Sequence, residues 1–266
     1  MESWVSMYLH YLNLPVRPPT TSFLIDLYQR HLACVPYELT SKMYYAKTNR
    51  NIPTSDDFAS NLVERGWGGN CYILNIHFMR LLEALGFWCY LVKVSPGHIG
   101  IIVSIQEQDY FVDVGYGAPL NQLVPIQDSP WSSTIFQEKI VIKYKEKNQL
   151  IYDRSYKGNV FLSKTIDLEP IEETDIEPDI EASFVDKDDN SFMRRINMVL
   201  TTDDKYMWVR NNRLTIRTDN NEEIKDYSHS SEWLKDMHQM FGLRMEDLQW
   251  TIDYLKQRNV DLGFID

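Results

Sequence analysis

The 266-residue chain has only three cysteines, Cys34, Cys71 and Cys89, too few for a disulfide framework and too widely spaced for a CxxC zinc knuckle. HxxxH and HExxH patterns are also missing, and His10, His31, His77, His229 and His238 lack metal-ligand spacing, so no metal is expected. No run approaches the ~20 apolar residues that cross a bilayer. Basic residues are scarce: 27 Lys and Arg stand against 38 Asp and Glu, a net charge of −11. That balance argues against a general nucleic-acid or anionic-membrane surface. Glycine and proline occur eleven times each without repeats, which excludes collagen-like and low-complexity chains. Met1-Glu2-Ser3-Trp4 lacks a basic leader followed by an apolar run, so no signal peptide is expected. What is present is 44% hydrophobic and 13% aromatic residues, enough for a substantial core. A reduced, cytoplasmic protein, monomeric or homodimeric, is the expectation.

The periodicity changes along the chain. Residues 1–86 read as helical. Thr20-Thr21-Ser22 offers an N-cap to a helix carrying Phe23, Leu24, Leu27, Tyr28 and Leu32, and Pro36 ends it. A second pattern runs from Asn70 through Leu74, Phe78, Leu81 and Leu85 to Gly86. Residues 87–189 are rich in short β-branched and aromatic runs, and Lys139 to Lys145 with Leu150 to Tyr156 predict a hairpin. Residues 190–266 mix strands around the two-residue turn Asn211-Asn212 with helices carrying Trp233, Met237 and Phe241, then Leu248, Ile252 and Leu255. Asp167 to Asp189 holds eleven acidic residues against Lys187 alone, and reads as a solvated loop or edge. Ser191 to Arg217 is instead basic, with Arg194, Arg195, Lys205, Arg210, Arg213 and Arg217 against Asp203 and Asp204.

Chemistry concentrates in three places. Gly68-Gly69-Asn70-Cys71 precedes a helix, so the glycines permit a sharp turn, Asn70 caps, and Cys71 falls in the first helical turn. There the helix dipole and unpaired amides favour a thiolate. The alternative for Cys71 is a small buried packing residue, as expected for Cys34 and Cys89. A cysteine nucleophile needs a base, and that base needs an orienting acceptor. His98, after Ser95-Pro96-Gly97, opens an apolar strand, and Asp113 interrupts the apolar run Tyr110 to Val114. Adjacent antiparallel strands would bring the two together. A turn histidine and a strand-end carboxylate bonding its own loop are the alternatives.

Gly68-Gly69-Asn70-Cys71-Tyr72-Ile73-Leu74-Asn75, then Gly97-His98, then Val112-Asp113-Val114-Gly115-Tyr116-Gly117 resemble the arylamine N-acetyltransferase family, whose segments RGGxCxxxN, a strand-opening His and VDVGFG occur in this order. His31-Leu32-Ala33-Cys34-Val35-Pro36-Tyr37-Glu38 is similar to its HLxxVPFEN, and Asn190-Ser191-Phe192 with Arg213-Leu214-Thr215-Ile216 to its third domain. The resemblance covers nearly the whole chain. It implies an α+β fold: an N-terminal helical bundle (1–86) with the catalytic cysteine, a central antiparallel β-barrel (87–189) with His and Asp, and a C-terminal α/β lid (190–266). It implies a catalytic triad of Cys71, His98 and Asp113 and ping-pong transfer of acetyl from acetyl-CoA to an arylamine, hydrazine or similar amine. Tyr37, Tyr116 and Gly117 would bind the acceptor, Gly97 and Ser191 would lie near the cofactor, and the Tyr72 amide is a candidate oxyanion donor.

The chain departs from that pattern at Trp67, where the family has arginine, and at Asn70, Ile73 and Leu39. Glu38 would then look to Arg65, two positions before Trp67, or to another partner. The same triad also suits a transglutaminase-like enzyme, another cysteine hydrolase or an amide synthase, and the departures leave open a weakly active binding protein.

Overall fold

The computed structural model describes residues 2–48 and 51–266. Five helices come first: α1 (Ser3–Leu12), α2 (Thr21–Cys34), α3 (Thr40–Lys47), α4 (Ser55–Arg65) and α5 (Cys71–Ala84). Thr20 caps α2 by accepting from the Phe23 amide at 3.2 Å, and the helix stops two residues before Pro36, as the sequence predicts. Thr54 caps α4 in the same way, and Gly66 ends it in the left-handed region at φ 68°. Residues 1–86 are not wholly helical, however. Tyr37–Glu38 forms a short strand, β1, between α2 and α3.

Eight strands follow: β2 (Trp88–Ser95), β3 (His98–Ile105), β4 (Gln108–Val112), β5 (Val124–Pro125), β6 (Trp131–Ile135), β7 (Glu138–Glu146), β8 (Gln149–Tyr156) and β9 (Asn159–Asp167). They form one antiparallel sheet in the order β5-β4-β3-β2-β9-β8-β7-β6, nearly closed into a barrel. The predicted hairpin is β7–β8, with Glu146 facing Gln149 across the turn. Lys157 and Gly158, both at positive φ, turn β8 into β9. β3 is buried on both faces, which explains its unbroken apolar run. Ile99, Ile101 and Val103 pack towards the helices, whereas Ile102 joins Val92, Phe111, Ile140 and Tyr152 inside the barrel.

The acidic segment is more than a solvated loop. It contains α6 (Glu177–Phe184), and Ile176, Ile180 and Phe184 bury one face at helical spacing while the carboxylates occupy the other. The chain then forms β10 (Asn197–Thr201), β11 (Tyr206–Arg210), β12 (Arg213–Arg217), β13 (Glu222–Asp226), α7 (Ser230–Phe241) and α8 (Met245–Lys256). Asn211-Asn212 makes the expected two-residue turn between β11 and β12. This second sheet runs β1-β10-β11-β12-β13, so the N-terminal segment donates its outer strand. A pairing of that range is invisible to local periodicity.

Two buried histidines sit among the helices. His31 bonds the Tyr8 hydroxyl at 2.8 Å, and His77 stacks on Phe58 at 4.3 Å. Burial holds both near pKa 3, far below the ordinary 6.5. A depressed histidine stabilises the fold above pH 6.5, and that contribution is lost as pH falls towards 3. At pH 5 each is expected to reduce stability by about 2 kcal/mol (1.5 pH units below 6.5). His77→Phe should therefore lessen the fall in urea midpoint between pH 7 and pH 5; an unaltered fall would show that His77 is not buried in its neutral form.

Candidate functional site

Asn70 caps α5 by accepting from the Ile73 amide at 3.1 Å, which leaves Cys71 and Tyr72 in the first turn, where amides have no intrahelical acceptor. The approach to this turn admits no side chains. A Cβ on Gly68 would lie 1.9 Å from the Pro36 carbonyl oxygen, and one on Gly115 would lie 2.7 Å from the Cys71 Cα. Gly115 thus lets the end of the β4 segment lie against the base of the cysteine.

His98 opens β3, and Asp113 directly follows β4, its antiparallel neighbour. His98 Nε2 meets Asp113 Oδ2 at 2.6 Å, with both side chains almost wholly buried. The second Asp113 oxygen accepts from Asn75 Nδ2 at 3.0 Å and from the Gly115 amide at 3.0 Å. Asn75 also donates to the Ile99 carbonyl at 2.9 Å, and its own oxygen accepts from the Val114 amide at 3.0 Å. Standing one turn after Cys71 on the same helix face, Asn75 ties α5 to β3 and to the strand end that bears Asp113. Burial opposes the His98 imidazolium, but the Asp113 carboxylate and the adjacent Cys71 outweigh it and raise the group to about 9. With Nε2 committed to Asp113, Nδ1 is the nitrogen left for the adjacent Cys71. Cys34 and Cys89 are pushed up by burial, Cys89 to about 12.

Cys71 and His98 open onto a cavity of about 850 Å³. Of the other residues singled out in the sequence, Tyr37, Gly97, Tyr116 and Gly117 all line it. Tyr116 lies 4.6 Å, centroid to centroid, from His98, and its buried hydroxyl has no hydrogen-bond partner among the described residues. Ser191 does not line the cavity: it is exposed at the start of a 3₁₀ turn, and its neighbours Asn190 and Phe192 face the cavity instead. Glu38 and Arg65 do not pair. The Glu38 carboxylate accepts from the amide and hydroxyl of Ser41, while Arg65 bonds Asp247 of α8 and lies 3.6 Å over the Trp67 ring. The sequence pattern by itself gives no role to Asn75, Lys42 or the buried Arg154–Glu138 ion pair. The i, i+4 spacing from Cys71 was the available signal for Asn75; Arg154 and Glu138 meet only through β7–β8 register.

A family model described as N-acetyltransferase matches residues 20–250. The chain belongs to the arylamine N-acetyltransferase family. Solved members share its fold. The Salmonella typhimurium arylamine N-acetyltransferase is 18% identical, with 95% of this chain and 99% of that one covered and a TM-score of 0.81. The Mycobacterium marinum enzyme is 16% identical over 98% and 100% of the two chains, with a TM-score of 0.82. A structure of the latter in complex with CoA aligns over the same shares at 15% identity and a TM-score of 0.81. Among curated relatives, proansamycin X synthase of Amycolatopsis mediterranei (strain S699) is 28% identical over 143 residues, 49% of this chain and 54% of its own. The chain spans about half the length of that relative. Among the described residues, no group of His, Cys, Asp or Glu is arranged to hold a metal ion, and no helix is long and apolar enough to cross a membrane.

Removing Asn75 tests how the site is held. Asn75→Ala would strip partners from the Ile99 carbonyl, the Val114 amide and Asp113, all buried, at about 1–3 kcal/mol for each group left unsatisfied. We expect a loss of about 3 kcal/mol or more in urea unfolding; a variant as stable as the parent would show that Asn75 does not join helix to sheet.

Proposed function

We propose that this chain is an acetyl-CoA-dependent N-acetyltransferase that carries acetyl as a Cys71 thioester and delivers it to an arylamine, hydrazine or similar amine. The observation that carries the reading is the buried His98–Asp113 pair at 2.6 Å, opening with Cys71 onto one cavity. Family membership supplies the reaction class, and the CoA bound by the Mycobacterium marinum relative supplies the donor class. The residues present fit such a donor: an open cavity reaches the thiol, and the side-chain-free approach at Gly115 keeps the backbone close to it.

In this reading Cys71 Sγ, as thiolate, attacks the thioester carbonyl carbon. The new Cys71 carbon–sulfur bond forms, the old one breaks, and His98 gives its proton to the departing thiolate. The amine nitrogen then attacks the acetyl-Cys71 carbonyl, His98 takes a proton from that nitrogen, and the Cys71 thiolate is released. Asp113 remains a carboxylate throughout, orienting the imidazole and stabilising its charge. The amide of Tyr72, in the same helical turn as Cys71, stabilises the oxygen that becomes negative. Residues 1–86 supply the nucleophile, residues 87–189 the base and its partner, and residues 190–266 cover the opening as a lid. A free nucleophilic thiol suits the reducing cytoplasm.

A second reading, an amide synthase with a bulkier acyl or amine substrate, is favoured by the cavity volume. About 850 Å³ lies near the top of the range of about 300–1,000 Å³ for small-molecule sites, far more than an acetyl group needs.

Incubation with acetyl-CoA should add the mass of one acetyl group to the intact protein, and an aromatic amine should discharge it. Cys71→Ser should abolish loading, and His98→Ala should slow it by about 10²–10⁴-fold. Loading that survives Cys71→Ser would sink the mechanism. Because His98 is raised to about 9, its proton is retained until pH rises through 9. The loading rate should hold to about pH 9 and then fall, and Asp113→Asn should move that fall towards the ordinary histidine range near 6.5. An identical pH profile in the variant would separate Asp113 from the function.

A further inference from the structure

The cavity of this acidic protein is lined by six basic side chains, Lys42, Arg154, Lys164, Arg195, Arg210 and Arg217, against two acidic ones, Glu138 and Asp179. Three of these six cations are already engaged. Arg154 is paired with Glu138, Arg217 with Glu222, and Lys164 bonds the Pro96 carbonyl. Nearby, Arg194 is taken by Asp186 and Asp188, and Arg213 by Asp226. Lys42, Arg195 and Arg210 differ: among the described residues none of them has an acidic partner or a side-chain hydrogen bond.

These three are contiguous. Lys42, in the first turn of α3, is only 2% exposed, and its ammonium lies 5.3 Å from the Phe192 ring and 5.6 Å from Phe184. The Arg195 guanidinium lies 4.2 Å from the same Phe192 ring, and its buried Nε has no hydrogen-bond acceptor among the described residues. Arg210 ends β11 opposite Asn197, two residues after Arg195, so register sets the two arginines side by side. Arg210 also lines an adjoining cavity of about 400 Å³, which shares Tyr156, Trp208 and Arg217 with the first. Lys42 is buried and Arg195 half-buried, and charges so placed are ordinarily paired; Arg210 is exposed beside them. Burial lowers Lys42 to about 8, and Arg195 adds to the effect; burial and Arg210 in turn weaken the hold of Arg195 on its proton. Aromatic faces offset only part of this, at about 0.5–2 kcal/mol per contact. Asp179, on the exposed face of α6, bonds none of the three.

We propose that Lys42, Arg195 and Arg210 form an oxyanion-binding wall of the cavity that takes a phosphate or carboxylate group of the enzyme's substrates. This rests on the reading of the cavity as the acyl-transfer site. Two substrates could bring such a group: the donor, through the CoA phosphates, or the acceptor, through a carboxylate on the amine.

Calorimetric titration of the Cys71→Ser protein separates these sources without requiring turnover. CoA is compared with pantetheine, which lacks the phosphates, and 4-aminobenzoate with its neutral amide. The anionic member of at least one pair should bind about tenfold or more tightly, the scale of hydrogen bonds to charged groups. In the combined Lys42→Met, Arg195→Ala, Arg210→Ala protein that preference should shrink towards unity, with the neutral member binding as before. Lys42→Arg with Arg195→Lys and Arg210→Lys should keep most of it, which separates charge from folding. A preference confined to the CoA pair places the wall on the donor, one confined to the benzoate pair places it on the acceptor, and either supports the proposal. No preference in the parent protein, or one undiminished in the neutralised protein, overturns it. Failure of acetyl loading in the active protein would instead count against the proposed reaction and leave these affinities to be read on their own.

Discussion

Burying the Asp113 carboxylate couples the helix that carries Cys71 to the sheet that carries His98. An unpaired carboxylate in that position would be strongly disfavoured, so the surroundings must supply donors from several directions. They come from different parts of the chain: Asn75 from α5, the Gly115 amide from the turn after β4, and His98 from the neighbouring strand. Satisfying one charge therefore fixes three backbone segments relative to one another. Tyr28 of α2 adds a fourth, its hydroxyl reaching the carbonyls of Asp113 and Leu120 at 3.2 and 2.6 Å. The orientation of the imidazole and the position of the thiol follow from this network.

The same network explains why the glycines belong where they are. Asn75 can reach across only if the strand end lies against α5, and the absence of a Cβ at Gly115 permits that contact. Gly68 does the equivalent on the other side, letting the turn before Cys71 lie against Pro36, beside the strand that Tyr37–Glu38 adds to the second sheet. Polar satisfaction and close packing thus specify one geometry together.

What was legible in the sequence was local or strictly ordered. A cap, two glycines and a cysteine at a helix start, a hairpin with a two-residue turn, and an aspartate in an apolar run, which the fold sets just past the end of β4, each leave a signature within a few residues. The structure places those elements where the sequence does. The pairing of β1 with β10 was not legible, because the partners lie about 160 positions apart and two residues carry no period. Nor was α6, whose three buried apolar residues are interleaved with carboxylates that dominate any reading by charge. For Glu38 the sequence leaves Arg65 or another partner open, and the fold decides between them: it turns that arginine towards α8 and leaves Glu38 to the Ser41 backbone and hydroxyl.

Charge is where sequence and structure diverge most usefully. A net −11 describes the molecule seen from a distance, and screening over about 8 Å at physiological ionic strength confines most of that field to the surface. Inside the cavity the sign reverses, because the Asp186, Asp188, Glu222 and Asp226 carboxylates are spent on Arg194, Arg217 and Arg213 and leave Lys42, Arg195 and Arg210 without an acid among the described residues. The basic stretch 191–217 is thereby sorted into cations that hold the fold together and cations left facing the cavity. Summed charge along a chain cannot make that distinction, since it depends on which acid each arginine reaches across a strand or a turn. A cavity of opposite sign to its protein also favours an anionic ligand over other solutes at the point of entry, so selection can begin before any contact with the thiol.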